Sequence, residues 1–572
     1  MAHDPPPQIR SISQVELFWL WGAVLFGLIL RLSFPTRMAI EHFDEGVYAS
    51  NIWFGFNQGG EYPSRHLYAP PLLPMAIEWT MIVASLCGIQ PTGFIPMIPC
   101  LIAGLATIPS IWWIGRRWFG PSAGIVAAWF VATSDFHACY SRAALTDVPV
   151  CLFILWGVYF ICQTLQTGTL RHSLLAGLFT GLAWWTKYNG WLPLLIGLFG
   201  GMAWQISGPR HERCLRLAAT RWLSVAAIAF AIWSPVLWGL QSHGGYSAVA
   251  ANHRQYVVGF RGWGMAALQQ LTNIGLYDNW FSLLTEPWLL PTPQTVETNK
   301  TIHQPDRLNK IWVIATPLVF LLVSGVTYAS LLIRKWSELR NAGVWTSLAW
   351  FAGMSLSTPL YHPYPRLALP WLIGCWIGVA LSLQMLRNPR FVLRLDKSGS
   401  NALWTPARVE LVVIGWLVVC ESTRCGLGTA HAWADRTHVA SMGTQIASKI
   451  QELTKNSGFP PEESIIYVFG EPAMAFTLKS RGFPLVVPIQ HLRFLSSSHP
   501  RPVFFVYSDR ALKSATFQEE LMRHRNDFEI IETQNLKKSP LVLFDDSDTS
   551  GNQRINQDIP ANVSVWIGRV TR

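Results

Sequence analysis

The chain has 572 residues, of which 50% are hydrophobic and only 13% charged, with a mean hydropathy of +0.26. A soluble domain carries about 25% charged residues, so composition excludes an ordinary soluble protein and puts much of this chain in a bilayer. The net charge of +11 gathers in short loops between apolar runs, which is a membrane-topology signal and excludes nucleic-acid binding as its first explanation.

In chain order, residues 1–14 form a cytoplasmic N-terminus ahead of an uncleaved first span, because no small-residue cleavage site follows the apolar stretch. Membrane crossing needs roughly 20 apolar residues. Such runs occur near 15–31, 97–115, 121–139, 148–166, 173–187, 190–206, 219–240, 311–333, 343–358, 367–386 and 408–423, about eleven in all. A further run, 71–88, opens with Pro70, Pro71 and Pro74 and carries Glu78. A carboxylate is costly in hydrocarbon, so this run is read as a juxtamembrane or re-entrant helix on the outer face.

With 71–88 outside the bilayer, the side of every later loop is fixed. The inner loops then hold Arg116-Arg117, Arg171-His172, the segment with Arg210, Arg213 and Arg216, Arg334-Lys335 with Arg340, and finally Arg387, Arg390, Arg394 and Lys397. Short basic loops belong inside, so the C-terminal region falls outside. The expected architecture is a polytopic α-helical membrane domain over 15–425, with large outer loops at 32–96 and 241–310. A soluble extracytoplasmic α/β domain follows over 430–572. In that domain 465–469 and 502–507 read as buried strands, and 439–453 and 511–524 have helical spacing. The nine cysteines show no metal-ligand spacing and read as small buried hydrophobes.

The candidate chemistry lies at one membrane surface. Asp44-Glu45 follows the first span, and the same outer loop continues through Arg65 and His66 among tyrosines and prolines. Arg142 and Asp147 lie between the third and fourth spans, where Asp147 also suits a helix cap. Lys187 ends the fifth span among tryptophans, where it would otherwise snorkel. His253-Arg254 lies in the second large loop, and Arg366 opens the tenth span. Carboxylates suit proton abstraction from an acceptor, and Arg and Lys suit a phosphate.

The order of these features resembles a known class. Asp44-Glu45, the helix after Pro70-Pro71, Arg116 to Gly120, Ser141-Arg142 with Leu145, Asp147 and Pro149, Thr186-Lys187, and Tyr364 to Pro370 follow one another as in the GT-C membrane glycosyltransferases. The bacterial dolichyl-phosphate-mannose protein mannosyltransferases and the lipid A aminoarabinose transferases are the branches it is most similar to. The resemblance covers about residues 15–380. It implies an inverting transferase of a bacterial inner membrane that moves a sugar from a polyprenyl-phosphate donor. The acceptor would be a protein hydroxyl, a lipid or a polysaccharide. Asp44 would be the base, Glu45 its partner and Asp147 a second acid. Lys187 and Arg366 would face the donor phosphate and Arg142 would sit beside Asp147, whereas Arg65, His66, His253 and Arg254 are read as substrate contacts from their place in the outer loops, the 241–310 loop having few landmarks of the class. The resemblance requires no cofactor, although some members bind a divalent cation.

The alternative from another class is a transporter of a small solute or lipid-linked sugar. Transporters place ionisable groups at the bilayer midplane between related halves. Here the charges line one interface and the halves show no similarity.

Overall fold

The computed structural model describes residues 11–49, 62–207, 214–281, 307–334, 337–386, 406–455, 459–489, 492, 501–539, 541–542 and 562–571. Several basic loop residues used for the parity argument (Arg210, Arg213, Lys335, Arg387, Arg390, Arg394 and Lys397) lie outside the described residues.

The helices of the first half are α1 (Gln14–Leu32), α2 (Phe43–Tyr48), α3 (Leu72–Leu86), α4 (Ile98–Phe119), α5 (Pro121–Thr133), α6 (Asp135–Ser141), α7 (Asp147–Thr167), α8 (Leu170–Thr186) and α9 (Leu192–Ser207). The bundle continues with α10 (Leu215–Gln241), α11 (Gly245–Arg254), α12 (Trp263–Tyr277), α13 (Arg307–Arg334), α14 (Ala342–Ser357), α15 (Leu369–Leu386) and α16 (Pro406–Gly426). Every predicted span but 121–139 falls on one of these helices, and seven of the described helices are long and apolar enough to cross a bilayer. The chain is a multi-pass integral membrane protein.

Two departures have local causes. The run 121–139 is two helices, because Ser134 leaves helical geometry and its hydroxyl accepts from the His137 N–H at 3.0 Å, capping a new helix. Helix α3 has 15 residues. At 1.5 Å per residue it is about 22 Å long, short of a bilayer core of about 30 Å.

Contacts at the helix ends define two faces of the bundle. At one end Glu16 of α1 meets Arg116 of α4 at 2.6 Å, both buried. Asn341 donates to the Trp118 carbonyl at 2.6 Å on that side, and Arg221 donates to the Leu165 carbonyl at 2.7 Å. At the other end of α1, Arg31 reaches the Val131 carbonyl at 2.8 Å and the His137 ring at 3.0 Å. Those residues close α5 and open α6. The ends of α1, α5 and α8, the starts of α7 and α15, and the short helices α2 and α6 therefore share this second face.

The C-terminal region is a five-stranded sheet with helices α17 (His438–Lys455), α18 (Pro472–Ser480), α19 (Asp509–Leu512) and α20 (Ala515–Arg523). The strands are β1 (Ile465–Phe469), β2 (Val486–Ile489), β3 (Val503–Ser508), β4 (Phe528–Lys537) and β5 (Asn562–Val570), in the order β2-β1-β3-β5-β4. β1 is parallel to β2 and β3, with Tyr467 opposite Phe505, and β5 is antiparallel to β3 and β4. The expected helix over 511–524 is broken. Ser508 and Ser514 each cap a helix of their own, accepting from the N–H groups of Arg510 and Phe517. Phe505, Tyr507 and Phe517 fill a core on one side of the sheet.

This sheet domain sits directly on the second face. The Arg436 backbone N–H donates to the Arg37 carbonyl at 2.9 Å. Asp135 accepts from the backbone N–H groups of His431 and Ala432, each at 2.7 Å.

Candidate functional site

Helix α2 carries the acidic pair. His42 is its cap residue, and its Nδ1 accepts from the Asp44 N–H at 3.1 Å. Glu45 returns the bond, accepting from His42 N–H at 2.9 Å and Glu41 N–H at 3.0 Å. Reciprocal capping of this kind satisfies donors at a helix start, and two carboxylates in the first turn suit its positive end.

Neighbours in sequence, Asp44 and Glu45 have different partners. Asp44 Oδ2 meets Arg366 at 2.7 Å. Burial alone would raise its carboxyl, but Arg366 and then His42 hold it below the ordinary aspartate value. Glu45 is fully buried, and besides its two capping bonds it accepts from Ala144 N–H at 2.8 Å and from Arg436 at 2.6 Å. Its oxygens are committed to four donors from three segments. Glu45 therefore holds the fold of α2.

Asp147 sits in the first turn of α7, and Lys187 is the residue after α8. Lys187 Nζ reaches Asp147 Oδ1 at 2.5 Å, while Asp147 Oδ2 is buried with no hydrogen-bond partner. The structure thus uses Lys187 as an ion-pair partner, not as a snorkelling anchor.

These two ion pairs belong to one site. The Asp44 carboxylate feels the Lys187 charge, and the buried Tyr48 phenol feels Asp44, Arg366 and Asp147 together. Burial first, then Asp44, pushes the Tyr48 phenol well above its ordinary value, so it stays protonated and able to donate. Sequence reasoning passed over Tyr48, although its place one turn after Asp44 puts both side chains on one helix face. His253 borders the same region. Its Nδ1 pairs with the Tyr361 hydroxyl at 2.8 Å, and burial, then Lys187, lowers its ring below the usual histidine value.

Three further candidates have partners of their own in the fold, and a fourth is exposed. Arg142 is buried against the C-terminal end of α1, donating to the carbonyls of Arg31 at 2.8 Å, Ser33 at 2.6 Å and Phe34 at 3.3 Å. It ties α1 down and does not face Asp44. Arg65 folds onto its own turn, donating to the Ala69 carbonyl at 3.2 Å. The His66 ring lies tilted against His243, with centroids 4.4 Å apart, and its carbonyl accepts from the Tyr188 hydroxyl. Arg254 is exposed at the end of α11.

Beneath the site lies a polar layer that sequence reasoning did not find. Asp135 receives Arg424 at 2.9 Å, and Arg424 also reaches Glu421 at 3.3 Å. Asp278 accepts from Ser134 at 2.7 Å and from Phe136 N–H at 3.0 Å. All four residues are buried. Buried charges of this kind persist only when paired and hydrogen-bonded.

Among the described residues no three His, Cys, Asp or Glu side chains converge as a metal cage. Asp44 and Asp147 are each already paired with a cation.

Residues 70–238 match the family model described as dolichyl-phosphate-mannose-protein mannosyltransferase. No curated protein matches the chain. Among solved structures, the chain is similar to an oligosaccharyltransferase from Archaeoglobus fulgidus in the apo form, with TM-score 0.54, 12% identity, 83% of this chain covered and 64% of that one. The chain thus spans 64% of that relative's length. The same organism's AglB, in complex with an inhibitory peptide and a dolichol-phosphate, gives TM-score 0.53 at 12% identity, covering 90% of this chain and 72% of that one. ArnT from Cupriavidus metallidurans in the apo state gives TM-score 0.52 at 13% identity, covering 97% of this chain and 98% of that one. In its matched segment and in its fold, the chain resembles the GT-C class of membrane glycosyltransferases, the class first read from the order of its motifs.

Proposed function

We propose that the protein is an inverting glycosyltransferase that takes a sugar from a polyprenyl-phosphate donor and passes it to an acceptor at the outer face of the membrane. The observation that carries this reading is the pairing of Asp44 with Arg366 beside the pairing of Asp147 with Lys187, on one face of the bundle. AglB, a structure of similar fold, is described with a dolichol-phosphate. A lipid phosphate and a nucleophile are the two reactants that such a mixed site can serve.

In this reading Asp44 is the general base. Its carboxyl lies below the ordinary range, so it is ionised at neutral pH and ready to take a proton from the acceptor. The acceptor attacks the anomeric carbon as the bond to the phosphate breaks. Arg366 and Lys187 then share the charge of the leaving phosphate, and such preorganised cations act most strongly where water is scarce. Asp147 orients Lys187. Tyr48 offers a hydroxyl proton to the sugar or phosphate. The lipid tail stays among the spans, and the sheet domain stands over the outer face, with the N-terminus cytoplasmic, in a bacterial inner membrane. The acceptor class is a protein hydroxyl, a lipid or a polysaccharide.

The test is transfer by purified protein from synthetic polyprenyl-phosphate sugars to extracted envelope acceptors, with Asp44→Asn as the control. Transfer by wild type that the control lacks supports the reading. Equal rates in both sink it. Vesicle uptake of a solute, unaffected by Asp44→Asn, would favour the transporter.

A further inference from the structure

Helix α2 has six residues. Isolated helices shorter than about 12–15 residues are marginal in water, so α2 owes its place to what holds it. Much of that hold comes from the far end of the chain. Arg436, 391 residues from Glu45, bonds to Glu45 Oε2 at 2.6 Å. Its other terminal nitrogen donates to the Arg142 carbonyl at 2.6 Å, and its backbone N–H to the Arg37 carbonyl at 2.9 Å. One buried residue thus ties α2 to the end of α1 and to the α6–α7 loop.

A second contact is purely steric. The backbone of α18 lies so close to Gly46 that a Cβ there would stand 2.2 Å from Ala473 N and 2.4 Å from the Pro472 carbonyl carbon. A third is the Arg510 guanidinium, 5.0 Å from the centre of the Phe43 ring. Residues 43, 45 and 46 are therefore fixed by the sheet domain and its lead-in segment, and Asp44 lies between them. Asp44 has to be held at 2.7 Å from Arg366, and rotation of α2 about its axis would break that pair.

We propose that Arg436 is a positioning residue for Asp44, acting through Glu45, and that the sheet domain is a working part of the active site. The inference rests on the transfer reading above for its kinetic consequence. Its structural half stands without it. A misplacement of about 1 Å costs about 10²-fold in rate, and that sets the expected effect.

The experiment uses the full chain in nanodiscs, with Arg436→Ala, Arg436→Lys, Gly46→Ala and the double variant Arg436→Ala/Glu45→Gln. Arg436→Ala is expected to lower kcat about 10- to 100-fold with donor KM unchanged, because it moves the base and not the phosphate contacts. Arg436→Lys recovers part of the loss. The double variant, set against Arg436→Ala and a single Glu45→Gln, should fall short of the product of the two losses, since the two side chains share one bond. Hydrogen exchange across 43–48 should rise in Arg436→Ala while 147–167 stays protected. A raised KM with kcat retained, or unchanged exchange across 43–48, overturns the proposal. If Arg436→Ala does not reach the membrane, Gly46→Ala carries the same expectations with both charges in place. The exchange measurement needs no substrate, so absent wild-type transfer counts against the transfer reading alone.

Discussion

Lys187 grips one oxygen of Asp147 at 2.5 Å and leaves the other oxygen buried with no hydrogen-bond partner. Removing one member of a buried pair costs about 3–5 kcal/mol because the other charge is stranded. The Lys187 side chain keeps 20% of its exposure, so Lys187→Met should fall near the lower end. Adding Asp147→Asn should restore much of the lost melting temperature, yet donor affinity should stay low in both variants. Thermal unfolding and donor titration in the same detergent separate the two effects.

Asp44→Asn should lower transfer by about 10²–10⁴-fold, the usual worth of a general base. Donor binding should be nearly intact, because Arg366 and Lys187 remain. Single-turnover rates alongside donor titration check this. Wild-type turnover in the variant would remove Asp44 from the mechanism.

Arg142→Ala should behave as a folding defect. It strips three backbone carbonyls of their donor at the end of α1, so protein yield and melting temperature should drop. The molecules that do fold should show wild-type donor KM. A selective rise in donor KM with normal stability would return Arg142 to the substrate site.

Glu41 gives a pH signature. Its carboxylate is buried, and burial outweighs the nearby Arg436 and Ser539 to push its carboxyl up to about 8. The unfolded value is about 4.3, so the folded state holds the extra proton between those two values. Stability from this group is complete below the unfolded value and is lost as pH rises through about 8. Glu41→Gln should therefore raise the melting temperature at pH above about 8, with little change near pH 4. Glu45 has the opposite sign. Although burial opposes it, Arg436 depresses its carboxyl, so its contribution is present above about 4.3 and fades as the solution is acidified through its lower folded value.

Much of the membrane body was legible because bilayer chemistry is written locally. A span is one uninterrupted apolar run, so α1, α4, α7 and α10 could be placed from their own residues. Asp44, Asp147, Lys187 and Arg366 stood out as charges at the ends of such runs. Their pairing was not legible, since Asp44 and Arg366 lie far apart in the sequence and only the folded bundle brings them together. The roles of Glu45 and Arg142 were hidden for the same reason: their partners are Arg436 and the Arg31 carbonyl. Nothing in the surrounding residues distinguishes a carboxylate that holds a helix from one that faces a substrate. In the sheet domain, β1 and β3 announced themselves as continuous apolar runs, whereas β4, with Glu529, Glu532, Gln534 and Asn535, is mostly polar and passed unseen.

Asp135 has one further consequence. By clasping His431, Ala432 and Arg424 at once, it welds the segment that leaves α16 to the bundle before the sheet domain begins. The domain is then no bead on a tether. Any swing of it would have to hinge beyond Arg436, whose side chain is itself buried against Glu45 and the Arg142 carbonyl.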